Sequence, residues 1–154
     1  MRFFLFVAAI AMTGTASARD YSAGQLWSYK TRAGDESSLV LIDFVESVPK
    51  LGTIYHITVL QVHMPSWKDG SRSVMDLPHF PVSKVTLDNS LLAPVGTRAP
   101  FESYKAGYAE WRKAFDAGQA GVFTISVADV IATVETALLK NMPAPQRPSD
   151  GHSK

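Results

Sequence analysis

The chain opens on an apolar run, alternates apolar and polar residues through its middle, and moves to three- and four-residue spacing towards its C-terminus. Residues 25–32 alternate, with Trp27 and Tyr29 on one face and Ser28 and Lys30 on the other, which predicts a strand. A turn follows at residues 33–36. Residues 38–48 predict a second strand, and Leu39, Val40, Leu41 and Ile42 make it apolar on both faces, as in a strand covered from two sides. Val48-Pro49-Lys50-Leu51-Gly52 turns the chain into a third strand over residues 53–64. Connections this short predict an antiparallel meander.

The third strand changes face. Tyr55, Ile57 and Val59 are apolar at odd positions, and Leu60, Val62 and Met64 at even ones. Strict alternation cannot do this without one extra residue, so the pattern predicts a β-bulge at Val59–Leu60. Tyr55, Ile57, Leu60, Val62 and Met64 would then share a buried face. His56, Thr58, Gln61 and His63 would share the other, solvated or covered by polar contacts.

Residues 65–72 read as a polar loop with an Asp69-Gly70 turn and an exposed Trp67. Pro78 and Pro81 restrict residues 74–82 to an edge strand or an extended segment. Ser83 suits the cap of a weak helix running to Leu92, and residues 93–100 read as a loop. Phe101, Tyr104, Tyr108, Trp111 and Phe115 then step by three or four, forming the aromatic stripe of a helix that Gly118 ends. Residues 121–125 predict a short buried strand. Ser126 caps a last helix, with Asp129 in its first turn and Val127, Val130, Ile131, Val134 and Leu138 as its apolar stripe. The fold class expected is α+β, a meander of three to four strands packed against two to three helices. Residues 142–154, with Pro143, Pro145 and Pro148, lack apolar mass and read as a disordered tail.

The opening run has its own meaning. Arg2 precedes ten apolar residues, Phe3 to Met12, and Ala16-Ser17-Ala18 has the small-x-small form of a signal-peptidase site. A membrane span needs roughly 20 apolar residues. Residues 1–18 therefore read as a cleaved secretory signal without a stable membrane anchor, the cut falling after Ala18, and residues 19–141 as one α+β domain of a periplasmic or secreted bacterial protein. Past the signal, Lys+Arg and Asp+Glu number 14 each, and the basic residues are scattered. This balance lacks the basic footprint of a nucleic-acid binder. The chain has no cysteine, which excludes disulfides, thiolate chemistry and Cys-ligated metal sites.

Chemistry is sparsely written. No Gly-x-Ser-x-Gly elbow occurs, and the glycines of Gly118-Gln119-Ala120-Gly121 follow a helix, the wrong order for a phosphate loop. His56 and His63 stand too far apart on one strand to share a metal ion, so no metal or cofactor is expected. His79 could approach either of them, though all three also read as hydrogen-bonded structural histidines. Asp43, between Ile42 and Phe44, would have a raised pKa if buried. A solvent-facing place near the strand end fits its weakening apolar pattern better. The aromatic stripe reads as core rather than as a ligand platform. His56, Gln61, His63, Trp67 and His79 are left as the residues for partner contact.

Residues 24–32 (Gly24-Gln25-Leu26-Trp27-Ser28-Tyr29-Lys30-Thr31-Arg32), 77–83 (Leu77-Pro78-His79-Phe80-Pro81-Val82-Ser83), 107–116 (from Gly107-Tyr108-Ala109-Glu110-Trp111-Arg112) and 121–126 together resemble a group of small, uncharacterised bacterial proteins. The resemblance spans about residues 24–135 and implies a single bacterial domain, with no activity or site attached. The expectation is an exported binding or interaction protein, of inhibitor or immunity type, with an unknown protein or small-molecule partner. The rival is a small hydrolase-like or metal-assisted enzyme built on His56, His63 or His79.

Overall fold

The chain runs β1 (Gln25–Tyr29), β2 (Leu39–Val48), β3 (Gly52–Pro65), β4 (Arg72–Ser83), α1 (Lys84–Ser90), β5 (Leu91–Thr97), α2 (Tyr104–Asp116) and α3 (Val127–Asn141) in a computed structural model that describes residues 19–66 and 71–142. The signal at 1–18, Trp67 with its turn, and residues 143–154 of the tail lie outside the described residues. The fold is α+β. Four strands form the expected meander, and β5 returns beside β1, so the antiparallel sheet has five strands in the order β4-β3-β2-β1-β5.

Register assigns the faces. Phe44 stands opposite His56 and Val45 opposite Tyr55, so even-numbered residues of β3 up to Leu60 share one face and odd-numbered ones the other. The odd face carries the core: Tyr55, Ile57 and Val59, continued by Val62 and Met64, pack with Leu87 of α1 and Val127, Val130 and Ile131 of α3. Between Val59↔Leu77 and Val62↔Met75 the chain advances three residues on β3 and two on β4, and Gln61 takes φ +54°. Val59 therefore occupies the buried-face place that the pattern gave to Leu60. Leu60 itself lies on the even face, also buried.

Three segments depart from the sequence reading. Residues 91–97, expected as the end of a helix and a loop, form β5, because the helix capped by Ser83 stops at Ser90 and the chain then pairs with β1. Pro94 and Gly96 hid this strand, and its pairing is correspondingly irregular. It survives because it lies at the sheet edge, where a missing N–H can face solvent. Residues 121–125 are not a strand; Phe123 makes a single bridge to Val82, with N–H donation to Pro81 O at 2.9 Å. Asp43, expected to face solvent, is 2 % exposed. It is the extra residue where the β2–β3 register shifts between Ile42 and Phe44, and its carboxylate accepts from Thr58 Oγ1 at 2.6 Å and from the Phe101 N–H at 3.2 Å. Burial pushes its carboxyl above the ordinary range, against the pull of those two bonds and of Arg98.

The helix termini follow the sequence. Ser126 accepts from the Asp129 N–H at α3. Gly118, at φ +71°, ends α2 with its N–H on Phe115 O at 2.9 Å while the Gln119 N–H reaches Ala114 O at 2.8 Å, the paired bonds of a Schellman cap.

Candidate functional site

The even face of the sheet is covered at its β3–β4 end by α2, and here the polar side chains converge. Glu46 on β2, His56 on β3, His79 on β4 and Arg112 on α2 form one hydrogen-bonded row. Arg112 Nη1 donates to Glu46 Oε2 at 3.1 Å, His56 Nε2 meets Glu46 Oε1 at 3.0 Å, and His56 Nδ1 meets His79 Nε2 at 3.0 Å. The two imidazole planes lie within 16° of each other, with centroids 5.1 Å apart. Phe44, Tyr108 and Trp111 enclose His56 at centroid distances of 5.7, 5.0 and 5.0 Å.

Local backbone explains why two histidines 23 residues apart meet. The β3–β4 register shifts between Ile57↔Phe80 and Val59↔Leu77, setting Pro78 and His79 against the single residue Thr58. His79 takes φ +60°, a conformation that non-glycine residues adopt at some cost. The shift aims its ring at His56, as bulges commonly re-aim side chains. On the other side lies Gly107, the fourth residue of α2, within a helix where glycine is a poor former. A Cβ at that position would stand 2.7 Å from His79 Cβ and 3.3 Å from His79 Nδ1. Close approach of helix to ring, not chain flexibility, therefore accounts for this glycine. Gly107→Ala is expected to lower stability by about 1–3 kcal/mol through overpacking, outweighing the ~1 kcal/mol gain in helix propensity. Urea unfolding checks this, and an unchanged or higher midpoint would refute the close-approach account.

Comparison with family models, with curated proteins and with solved structures finds no match to this chain. The site must therefore be read from its own chemistry.

Burial disfavours the imidazolium form of both rings. His56, 0 % exposed, is held below the ordinary imidazole range by desolvation, with Glu46 pulling the other way and Arg112 adding to the depression. His79, 8 % exposed, is lowered to about 4, first by burial and then by His56. Both are neutral at pH 7. Among the described residues, no group of three or more His, Cys, Asp or Glu side chains is disposed to hold a metal ion.

The other expected contact residues lie elsewhere. His63 belongs to a second network: its N–H and its Nδ1 bond Asp35 Oδ1 at 2.9 and 3.1 Å, Arg32 Nε reaches Asp35 Oδ2 at 2.9 Å, and Arg32 and Arg72 both pair with Glu135 of α3. This ties the turn after β1 to β3, β4 and the last helix. Burial pushes the Asp35 carboxyl up, but the bonds from His63 and Arg32 outweigh it and hold it below the ordinary value. Gln61 is exposed, and its N–H donates to Asp76 Oδ1 at 2.9 Å. The structure thus joins His56 with His79 and separates both from His63 and Gln61. His56 is fully buried, so of the two rings only His79 has any exposed surface.

Glu46 and Arg112 were not among the contact residues expected from the sequence. The turn at Val48–Gly52 held the missing signal: pairing Val48 with Gly52 counts back to Glu46↔Ile54 and, past one further residue each, Val45↔Tyr55 and Phe44↔His56, which sets Glu46 diagonal to His56 on one face.

Proposed function

We propose that this chain is an exported bacterial binding protein, of inhibitor or immunity type, that recognises an extended segment of a protein partner. The observation that carries the reading is β5. Six of its seven residues are exposed, including Leu92 at 48 % and Val95 at 51 %, and it forms one edge of the sheet. An edge strand with apolar side chains offers a template to an incoming strand. Pro94 and the register shifts of β5 against β1 interrupt backbone pairing, so specificity rests on the side chains. The buried polar groups support the same reading. Asp35, Asp43, Ser38 and Thr58 are each bonded to the scaffold, and no fully buried side-chain nitrogen or oxygen among the described residues lacks a partner. They hold the frame together rather than stand ready for a substrate.

Capture from a periplasmic extract tests this. The mature chain is expected to retain a protein that the Leu92→Asp, Val95→Asp double variant retains at least about tenfold less, a loss of ~1.4 kcal/mol or more in binding. Both side chains are exposed, so the melting temperature should barely move. Undiminished capture by the variant would refute β5 as the recognition edge.

A further inference from the structure

The row Arg112–Glu46–His56–His79 fixes where the protons sit. Glu46, paired with the Arg112 guanidinium, is a carboxylate and only accepts hydrogen bonds. His56 must then donate from Nε2, which leaves its Nδ1 as an acceptor. His79 must donate to that atom from Nε2, which leaves the lone pair of His79 Nδ1 unused at the end of the row. No described residue bonds His79 Nδ1, and among the described residues no fully buried side-chain nitrogen lacks a partner, so this atom is not fully buried. A side chain at Gly107 would begin 3.3 Å from it, so the glycine keeps that atom from being covered.

We propose that His79 Nδ1 is a binding site whose hydrogen-bonding sense is set by one proton: an acceptor for a ligand hydroxyl or ammonium group at neutral pH, and a donor to a carbonyl or carboxylate once the pair is protonated. The proton balance needs no heavy atom to move. A solvent proton binds His79 Nδ1, the proton on His79 Nε2 passes to His56 Nδ1, and the bond between the rings reverses direction. The charge then rests on His56, whose Nε2–H already faces Glu46 at 3.0 Å. His79 stays neutral and has exchanged its Nε2–H tautomer for the Nδ1–H one.

The surroundings favour this partition. Glu46 from β2 is the acidic group bonded to the pair, and it bonds His56 and not His79. From α2 come Arg112, which opposes any added cation and is itself shared with Asp116, and the faces and edges of Tyr108 and Trp111. Trp111 and Phe44 offer π-systems to His56, where a cation is stabilised. A coupled pair titrates in two steps that belong to both rings. The first step is the tautomer exchange on the acid side of a free imidazole. The second charges His79 at about 4.

Two-bond proton–nitrogen spectra of the 15N-labelled mature protein read this directly. At pH 7.5 both histidines are expected as Nε2–H tautomers. As the pH falls below the ordinary imidazole range, His56 should acquire both N–H signals while His79 moves to the Nδ1–H form. Glu46→Gln should shift that first step down by about 1–2 pH units, the usual effect of removing an adjacent opposite charge. Diethyl pyrocarbonate, which attacks unprotonated accessible imidazole nitrogens, should label His79 and spare His56 at pH 7.5. An Nδ1–H tautomer of His79 at pH 7.5 would overturn the proposal, as would direct double protonation of His79 with His56 still neutral, or an unlabelled His79. The wild-type spectra decide the matter even if the Glu46 variant does not fold.

Discussion

Acidification from pH 7 to pH 4 is expected to remove roughly 3 kcal/mol of folding stability through His79 alone, before any carboxylate contributes. The sign follows from where the protons bind. In the unfolded chain an imidazole charges near 6.5, whereas in the folded protein burial and then His56 lower His79 to about 4. Between those values the unfolded state binds more protons, so stability falls as pH falls, by up to 1.36 kcal/mol per pH unit for each such group. Above about 6.5 the contribution is fully present; below about 4 nothing further is lost. His56, lowered in the same direction, steepens the decline. Asp43 works against it, because its raised carboxyl takes up a proton more readily folded than unfolded. Asp35 and Glu135, whose carboxyls are held down by their arginine and histidine partners, lose their stabilisation as pH drops from the unfolded values of 3.8 and 4.5 to their lower folded ones. From 6.5 to about 4.5 the histidine pair drives the fall in stability and Asp43 alone opposes it among these groups. Urea midpoints at fixed ionic strength measure it, with His79→Gln as the comparison. A flat profile across that window in the wild type would show that the rings charge freely and that α2 does not seal them.

What could be read in advance depended on how local the cause was. The meander, the caps at Ser83 and Ser126 and the stop at Gly118 are set by residues within a few positions of each other, and alternation or helical spacing displays them. The aromatic stripe predicted α2 as well, although only Trp111 of that helix is buried, while Tyr104, Tyr108 and Phe115 are half covered. β5 was hidden because Pro94 and Gly96 are loop residues by propensity, and only the open place beside β1 makes them a strand. Asp43 was misread for a related reason. Its extra position in the β2–β3 ladder aims it beneath residues near Phe101, and a pattern read along one strand carries no information about a covering segment 58 residues away. The histidine site combines both problems. The meeting of His56 with His79 needs a register shift at Pro78–His79 that no alternation reveals, since prolines already interrupt the pattern there. Gly107 near the start of α2 was the overlooked clue, because a glycine inside an otherwise regular helix commonly marks something packed close against its backbone.

The other large effect expected is at Trp111. Its indole is 9 % exposed, lies 5.0 Å from the His56 ring and 4.7 Å from Phe115, and donates from Nε1 to Gly121 O at 2.9 Å. It therefore joins the sheet, α2 and the segment leading to α3. Trp111→Ala should cost about 3–5 kcal/mol, the range for emptying a buried large aromatic site. The lost hydrogen bond accounts for about 1 kcal/mol of that. Arg112→Ala should cost less, because Arg112 is partly exposed and neighbouring solvent can take over its bond to Glu46. The two substitutions also separate packing from charge in the histidine pair. Losing Trp111 opens His56 to water, relieves the desolvation that depresses its pKa, and should raise the pH of the first protonation step towards 6.5. Losing Arg112 removes a nearby cation and should raise it as well, but with the core intact. Urea unfolding and the histidine spectra of both variants measure the two quantities together. If Trp111→Ala unfolds at the wild-type denaturant concentration, the indole is not the lid of this site, and α2 is held by the Glu46–Arg112 pair instead.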